Sequence, residues 1–352
     1  MNRSLFQTDG QFYKANLHVH TTVSDGSLTP EETKQAYLEK GYSVVAFSDH
    51  EILLSHPELR DEGFLPLTAT EYEFRNPNDP RNFACQKVFH IVLIAGRENE
   101  TYYPWATRSV FWGNAKNYVQ DYCQGEHSRY PDYRNVNSAA KDAHDHGFLV
   151  TFCHPGWSLN HYPDYCGLEH VDFVEVSNSS SFISGRNTDG SDRAFEDLLC
   201  LGKHVSPTCS DDAHSRISIG HGATYVKSPD LSYESIIASL RRGDSYASTG
   251  PKFKDLSFDP ETCVFTVDSD PVEVISLTTN IRTLKSAGRR FTNTVVDHAE
   301  FDLKNFVDTV RKAGLFEDSF VRVTLFTENG RYAYSRGYFL TELLPETSAE
   351  KE

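Results

Sequence analysis

Positive charge is scarce in this sequence. Its 352 residues include 34 Lys and Arg against 50 Asp and Glu, so the formal net charge is −16. A protein that neutralises many phosphates of a polynucleotide normally presents a basic face, and the composition therefore predicts no long nucleic acid as a partner. A small phosphorylated molecule beside a metal ion is compatible with this charge balance.

Long apolar runs and cysteine pairs are also lacking. No segment approaches the roughly 18 consecutive apolar residues of a membrane-spanning helix, and we expect no membrane association. The N-terminal residues lack the apolar core of a signal peptide. The seven cysteines are odd in number and show no short repeated spacing, which favours reduced thiols. These absences predict a cytoplasmic protein and leave its oligomeric state open.

The composition itself is that of a globular protein, with 38% hydrophobic, 12% aromatic and 24% charged residues. It excludes a collagen, a coiled coil and a disordered chain. Neither a GxxxxGK[ST] phosphate loop nor a GxGxxG dinucleotide motif occurs. The length suits one α/β barrel of roughly 200–250 residues followed by a small second domain.

Short apolar runs alternate with helix-like segments up to about residue 250. A helix is predicted to begin after Thr29, because Pro30 suits its first turn and Glu32 completes a capping box. The predicted strands cover residues 13–20, 43–48, 64–71, 88–96, 148–154, 171–176 and 205–209. Such alternation is typical of a mainly parallel sheet with helical crossovers, so we predict an α/β first domain spanning residues 1–250.

An aromatic-rich segment between Gly96 and Val136 interrupts this alternation. A connection of this length is usually functional or disordered, and its aromatic content argues against disorder. We interpret the segment as a lid or as a wall of a substrate site. A small satellite core or a contact between subunits is the alternative.

Beyond Pro251 the pattern changes to short alternating strands. They are predicted at residues 263–267, 272–277, 291–296, 320–327 and 332–339. The Asn329-Gly330 pair between the last two strands is a strong hairpin signal. We predict a small antiparallel β-sandwich from residue 252 to residue 345 as the second domain.

Histidine and carboxylate side chains recur at the predicted strand ends. His18 and His20 lie two residues apart on one strand and therefore share a face. The other candidates are Asp25, His50, Glu71, His90, His154, Asp212 and His214. Most of them fall at the carboxyl ends of predicted parallel strands, which is the edge where barrel enzymes assemble their active sites.

Polar groups at that edge need partners, because the strands around them are buried. Imidazole together with carboxylate suits zinc, manganese or iron. Nine candidate ligands exceed what one tetrahedral ion requires, so we predict two or three divalent transition-metal ions bridged by a carboxylate and hydroxide.

The series HxHT…SDG, SDH, a strand-end Glu, HIV, CHP and DDAH resembles the PHP family, the polymerase and histidinol phosphatase domain, over about residues 10–250. The resemblance implies a distorted (β/α)7 barrel, similar to a TIM barrel, with a trinuclear metal site. It assigns His18, His20, Glu71 and Asp212 to the first metal, Glu71 with His90 and His154 to the second, and Asp25, His50 and His214 to the third. Some members have His where this chain has Asp25, and the carboxylate adds negative charge there.

The resemblance further implies a metal-dependent phosphoesterase, from the small-molecule branch of the family, that acts on a phosphate mono- or diester. A hydroxide between metals would attack phosphorus, with Glu71 positioning two metals and Asp212 orienting the hydroxide as the predicted catalytic residues. Candidate phosphate-binding residues are Arg75, Arg186 and Arg216, which follow strand ends. The leaving group would take its proton from a loop histidine or from water.

Two other functions fit the same residues. Barrels resembling amidohydrolases cleave lactones or C–N bonds, but they commonly use a carboxylated lysine as the bridge where this chain has Glu71. The non-catalytic alternative is a metal-bound sensor or scaffold whose C-terminal region binds protein or glycan. A complete ligand set in an open barrel mouth favours the phosphoesterase.

Overall fold

The computed structural model is a mixed α/β fold built around one large sheet. It describes residues 2–105, 107, 110–111, 113–118, 127–184, 191–282 and 284–344, without the side chains of residues 191 and 284. The candidate phosphate-binding residue Arg186 lies outside the described residues. So do Trp112 and Tyr122 of the aromatic-rich segment.

Eighteen strands and eight α-helices are found among these residues. The strands are β1 (Arg3–Ser4), β2 (Gln11–Val19), β3 (Val44–Phe47), β4 (Leu65–Arg75), β5 (Val88–Ile94), β6 (Leu149–Phe152), β7 (Phe173–Asn178), β8 (Ser206–Ser210), β9 (Ala223–Ser228), β10 (Ser245–Ser248), β11 (Phe253–Asp259), β12 (Val264–Val272), β13 (Val274–Thr279), β14 (Leu284–Gly288), β15 (Val296–Asp302), β16 (Phe320–Phe326), β17 (Tyr332–Ser335) and β18 (Tyr338–Phe339). The helices are α1 (Pro30–Leu38), α2 (Tyr133–Asp145), α3 (Tyr162–Tyr165), α4 (Ser179–Ile183), α5 (Ser191–Cys200), α6 (Tyr233–Arg242), α7 (Lys304–Lys312) and α8 (Leu340–Leu343).

The start of α1 shows how the local sequence sets an element. The Thr29 hydroxyl accepts a hydrogen bond from the backbone N–H of Glu32 at 3.2 Å, and the Glu32 carboxylate accepts one from the N–H of Thr29 at 2.9 Å. Both donors belong to the first helical turn, which has no partners within the helix. The predicted capping box is therefore confirmed.

The large sheet runs in the order β14-β13-β16-β17-β10-β9-β2-β3-β4-β5-β6-β7-β8. Parallel pairing joins β2 to β3, β3 to β4, β6 to β7 and β7 to β8. Antiparallel pairing joins β4 to β5, β5 to β6 and β2 to β9. The sheet is thus mixed where we expected it to be mainly parallel. The chain between β4 and β5 has a 3₁₀ turn at Phe83–Cys85 and no α-helix, so it lacks the helical crossover that a parallel pair needs.

The ends of β2 and β8 meet, although the two strands are far apart in the sheet order. Val19 forms a parallel bridge with Ala213, the Asp212 N–H donates to the His18 carbonyl at 2.9 Å, and the His20 N–H donates to the Ala213 carbonyl at 3.1 Å. This contact brings the first and last candidate ligands of the chain together. A closed seven-unit barrel stays a prediction.

The C-terminal strands are continuous with this sheet through the antiparallel pair β10 and β17. A second sheet, β1-β11-β12-β15, shares an apolar core with them. Helix α7, which we did not predict, adds Phe306, Val307 and Val310 to that core. The predicted strand at 291–296 is wrong, because β14 ends at Gly288 and β15 begins only at Val296. The division at residue 250 and the sandwich architecture stay predictions.

Two further observations concern compartment and membrane. The six cysteines among the described residues are all free thiols. Within the same part of the chain, no helix combines the length and the apolar character that crossing a bilayer requires.

Candidate metal centre

Six candidate ligands lie at or just beyond strand ends, whereas Glu71 and His90 lie within the antiparallel pair β4 and β5. The prediction that Glu71 ends its strand is wrong, because pairing with β5 extends β4 to Arg75. His18 lies in β2, and His20 is the first residue after that strand. His50 follows β3, His154 follows β6, and Asp212 and His214 follow β8. Glu71 is in β4, and His90 is in β5. Asp25 lies in the turn before α1. Six of these nine residues are at most 6% exposed. Burial of so many ionisable groups requires that they compensate one another.

Glu71 is at the centre of this group. Five imidazole nitrogens surround its carboxylate: Oε1 lies 2.8 Å from His90 Nδ1, 3.1 Å from His154 Nε2 and 3.3 Å from His18 Nε2, and Oε2 lies 3.1 Å from His50 Nδ1 and 3.2 Å from His20 Nε2. Each carboxylate oxygen thus faces a different set of imidazoles. This arrangement suits a carboxylate that bridges two cations.

Asp212 forms a second carboxylate position beside Glu71. Its Oδ1 lies 3.0 Å from His20 Nε2 and 3.3 Å from His18 Nε2. Its backbone has a φ of +49°, and that of His154 has a φ of +26°. Residues other than glycine rarely adopt this region, and strained backbone of this kind clusters at functional sites.

Asp25 and His214 form the outer edge of the cluster. Asp25 Oδ2 lies 3.3 Å from His214 Nε2, and Asp25 Oδ1 lies 3.7 Å from His20 Nδ1. The side chains of Asp25 and His214 are 29% and 37% exposed, far more than those of the inner residues. Water can therefore reach this edge.

The nine candidate ligands fall into three overlapping groups, and within each group the potential ligand atoms lie within 4.8 Å of one another. The groups are His18, His20, Glu71 and Asp212; Glu71, His90 and His154; and His20, Asp25, His50 and His214. The third group contains His20 in addition to the three residues that the resemblance assigned to the third metal. Glu71 and His20 each belong to two groups. A fourth group of this kind joins His18 to Cys153 and Glu175, which are not among the nine.

Four of the imidazoles have one ring nitrogen in the cluster and the other beside an oxygen atom outside it. These contacts are His18 Nδ1 to Glu175 Oε1 at 2.8 Å, His154 Nδ1 to Ser158 Oγ at 3.1 Å, His90 Nε2 to Glu73 Oε2 at 3.4 Å, and His214 Nδ1 to the Asp212 carbonyl at 2.9 Å. An acceptor on one ring nitrogen directs the lone pair of the other toward a metal.

The ionisation of the cluster reflects its crowding. Burial would lower the pKa of His20, but the close carboxylates of Asp212 and Glu71, at 3.0 and 3.2 Å, outweigh it and raise this pKa to about 10. Burial would likewise raise the pKa of Glu71, and the charges of His90 and His18 instead hold it well below its usual range. Burial lowers the pKa of His50 to about 3. When no metal ion is bound, positive charge on protonated imidazoles such as His20 thus offsets the negative charge of the carboxylates.

Unsatisfied atoms show that protons alone do not complete the site. His20 Nδ1 and Asp212 Oδ1 are buried and form no hydrogen bond of acceptable geometry. Leaving such atoms unpaired is costly. A divalent ion can be bound by an imidazole nitrogen and a carboxylate oxygen at the same time. This set of ligand atoms is of the type that binds zinc, manganese or iron. The residues therefore fit divalent metal ions.

Several residues that support the cluster were not identified from the sequence. Asp49 accepts hydrogen bonds from the hydroxyl and N–H of Thr21 and of Ser24, which holds the turn that carries Asp25. Glu175 and Glu73 contact the ligand imidazoles. The signal available for Glu175 was an acidic residue within the apolar strand Phe-Val-Glu-Val. Asp211, in contrast, accepts from Ser179 and the Gly220 N–H, away from the imidazoles.

The candidate phosphate-binding arginines differ in position. Arg75, at the end of β4, lies 3.3 Å from Glu73 and faces the ring of Phe83, so it is close to His90 through Glu73. Arg216 is directed away from the cluster and forms an exposed ion pair with Glu39 of α1 at 3.1 Å. The structure therefore does not bring Arg75 and Arg216 into one clamp.

The aromatic segment reaches the cluster at the residue after His50. Buried Arg129 forms a bidentate ion pair with Glu51, at 3.0 and 3.3 Å, and lies over the ring of Tyr72. The Tyr103 hydroxyl donates to the Glu51 carbonyl. Both ends of the segment are thus attached beside a candidate ligand. Its role as a lid or wall stays a prediction.

Comparison with known proteins finds solved structures that are similar to this chain at low sequence identity. No family model and no curated protein matches the sequence. A two-domain protein from Bacteroides vulgatus containing a predicted PHP-like metal-dependent phosphoesterase is 14% identical, with 96% of this chain and 99% of that chain covered and a TM-score of 0.44. A protein from Bifidobacterium adolescentis, named as a metal-dependent phosphoesterase, is 15% identical over 60% of this chain and 90% of its own, with a TM-score of 0.37.

A lesion-specific endonuclease from Pyrococcus furiosus is 16% identical, with 65% of this chain and 56% of that chain covered and a TM-score of 0.36. The chain thus resembles PHP-like phosphoesterases among solved structures as well as in its motifs. TM-scores below 0.5 are too low to assign a function. The absence of a long nucleic-acid partner, expected from the charge balance, stays a prediction.

Proposed function

We propose that this protein is a metal-dependent phosphoesterase that hydrolyses a small phosphate mono- or diester at a trinuclear site. The observation that carries the proposal is the set of three overlapping ligand groups that share Glu71 and His20. Two shared residues allow three ions to lie close enough to act on one phosphoryl group. A site for a single structural ion would not need this overlap.

The residues divide into holding and orienting roles. His18, His20, Glu71 and Asp212 would hold the first ion, Glu71, His90 and His154 the second, and Asp25, His50 and His214 the third, with His20 adjoining the third group. When bound, the ions would stabilise the phosphoryl oxygens as Lewis acids and would lower the pKa of a bound water molecule. Asp212 Oδ2 is held by Asn178, and Oδ1 faces His20 and His18 inside the cluster, so we assign Asp212 to orient the attacking water.

Substrate contacts outside the ligands are proposed for two features. Arg75 is 44% exposed and can rotate from Glu73 toward an anion, so we retain it as a phosphate-binding residue. Arg216, whose exposed partner is Glu39, stays a prediction in this role. Trp157 lies edge-on to His90 and His154, with ring centroids 5.6 and 5.1 Å apart, and walls the site on that side.

The proposal is tested by hydrolysis of p-nitrophenyl phosphate and bis-p-nitrophenyl phosphate after loading with Mn²⁺, Zn²⁺ or Fe²⁺. A panel of natural phosphate esters follows, with release of inorganic phosphate as the readout. We expect turnover that requires metal and disappears with a chelator. A metal-loaded protein that cleaves lactones or C–N bonds and no phosphoester would instead support the amidohydrolase-like alternative. Metal binding without any turnover would support a sensor.

A further inference from the structure

We infer that Glu175 is a positioning residue that orients three of the proposed metal ligands through one buried carboxylate. The inference rests on the metal site of the proposed function and concerns a residue that the family resemblance does not assign. Glu175 lies in β7 and is fully buried. A carboxylate in such a place is retained only where each oxygen has donors.

The first oxygen determines which nitrogen of His18 can bind a metal. Glu175 Oε1 lies 2.8 Å from His18 Nδ1. Because Nδ1 faces this carboxylate oxygen and Nε2 faces the cluster, we infer the tautomer in which Nδ1 donates to Glu175. The lone pair is then on Nε2, which lies 3.3 Å from both Glu71 and Asp212. The opposite tautomer would present an N–H to the ion and could not bind it.

The second oxygen holds two other parts of the cluster. Glu175 Oε2 accepts the backbone N–H of His154 at 3.0 Å and thereby stabilises a residue whose φ is +26°. It also accepts from Asn178 Nδ2 at 3.0 Å. The same Asn178 amide donates to Asp212 Oδ2 at 3.2 Å. One side chain therefore links ligands that follow or end three different strands.

Glutamine at this position cannot satisfy the same donors. Three donors, from His18, His154 and Asn178, face the two oxygens of Glu175. In a Glu175→Gln variant one oxygen becomes an NH₂ group, which confronts at least one of these donors in either orientation. Loss of such a partner typically weakens metal binding by about 10–100-fold. We expect that loss for the ion that His18 and Asp212 would hold.

Thr208 offers a matched control in the same core. It lies opposite Glu175 in the register of β7 and β8, is fully buried, and its Oγ1 forms no hydrogen bond. Thr208→Val removes a buried polar atom and leaves the hydrogen bonds of Glu175 with His18, His154 and Asn178 in place. Comparison of the two variants separates a loss of ligand orientation from general damage to the core.

The experiment titrates Zn²⁺ and Co²⁺ into metal-free wild-type protein, Glu175→Gln and Thr208→Val. Stoichiometry, dissociation constants, the Co²⁺ ligand-field spectrum and thermal unfolding are recorded. We expect Glu175→Gln to lose about 10–100-fold in the affinity of one ion and to show a changed spectrum, with Thr208→Val like wild type. Wild-type affinities and spectrum in Glu175→Gln would overturn the inference.

A measurement on the wild type keeps the inference testable if Glu175→Gln does not fold. In zinc-loaded protein with ¹⁵N-labelled histidine, His18 should carry its proton on Nδ1 and bind zinc through Nε2. Zinc bound through Nδ1 would overturn the inference. These readouts do not depend on activity, so a wild-type protein that binds its metals but releases no phosphate would refute the proposed function and leave the test of Glu175 intact.

Discussion

The inner and outer parts of the cluster differ in burial. Around Glu71, the side chains of His18, His90 and His154 are at most 5% exposed, and each has an oxygen contact on its second ring nitrogen. At the outer edge, Asp25 and His214 are 29% and 37% exposed. Charges interact more strongly where water is excluded. The inner ions should therefore depend on the protein charge, whereas solvent can replace part of what the outer ion loses.

The largest effect should follow from Glu71→Gln. The substitution keeps the size of the side chain but removes the charge that offsets repulsion between two cations in a poorly solvated pocket. We expect loss of two ions and a fall in kcat on the order of 10³-fold or more, as for one lost electrostatic contribution of several kcal/mol. Metal analysis and kcat under identical loading check this.

Glu39→Gln is the control for that experiment. Glu39 is an exposed carboxylate that pairs with Arg216, so its neutralisation changes the net charge of the protein equally without touching the cluster. It should keep wild-type metal content and rate. Near-normal metal and rate in Glu71→Gln would show that Glu71 does not bridge two ions.

Asp25→Asn should cost less than Glu71→Gln. Asp25 belongs to a single group at the exposed edge, and water can partly replace its oxygen. We expect a loss of about 10–100-fold in affinity for one ion, in the range found when one partner in a metal site is altered, and recovery of rate with excess metal. Rate as a function of added Mn²⁺ measures this. An inactive Asp25→Asn beside an active Glu71→Gln would reverse our assignment of the inner and outer ions.

The order in which the ions leave should follow the same difference. During stepwise chelation, the ion of the outer group should dissociate first, because two of its ligands, Asp25 and His214, are open to solvent. An ion whose free concentration is 100 times its dissociation constant stabilises the folded protein by about 2.7 kcal/mol. Loss of the inner ions should therefore lower Tm by several degrees. Chelator titration followed by metal analysis and calorimetry tests this. Simultaneous loss of all ions would show that the two parts act as one unit.

The smallest effect on the metals should come from shortening the aromatic segment. Replacing residues 119–126 with a short Gly-Ser linker keeps Arg129 and Tyr103, which attach the segment beside His50. We expect KM or the preferred substrate to change several-fold with unchanged metal content, because these attachments stay in place. Wild-type kinetics on the true substrate would exclude a lid or wall and favour a satellite core.

Positions of the ligands were open to prediction because strand ends are local features. Apolar runs that stop at His20, His50 or His154 mark the edge of a sheet, and the order of the motifs resembled a known family. Six of the nine proposed ligands are at most 6% exposed, and their roles as ligands stay predictions. The capping box of α1 was likewise readable, since Thr29 and Glu32 are three residues apart and need no tertiary partner.

What the tertiary structure decided depends on residues far apart in the chain. The contact of Glu175 with His18 joins positions 157 residues apart, and the pairing of Arg216 with Glu39 spans 177. β1 pairs with β11, so the N-terminal residues assigned to the first domain lie in the second sheet. No local pattern specifies such partners, because burial and strand pairing choose them only when the whole chain has folded. The sequence by itself thus determined the kind of site, and the fold decided which side chains complete it.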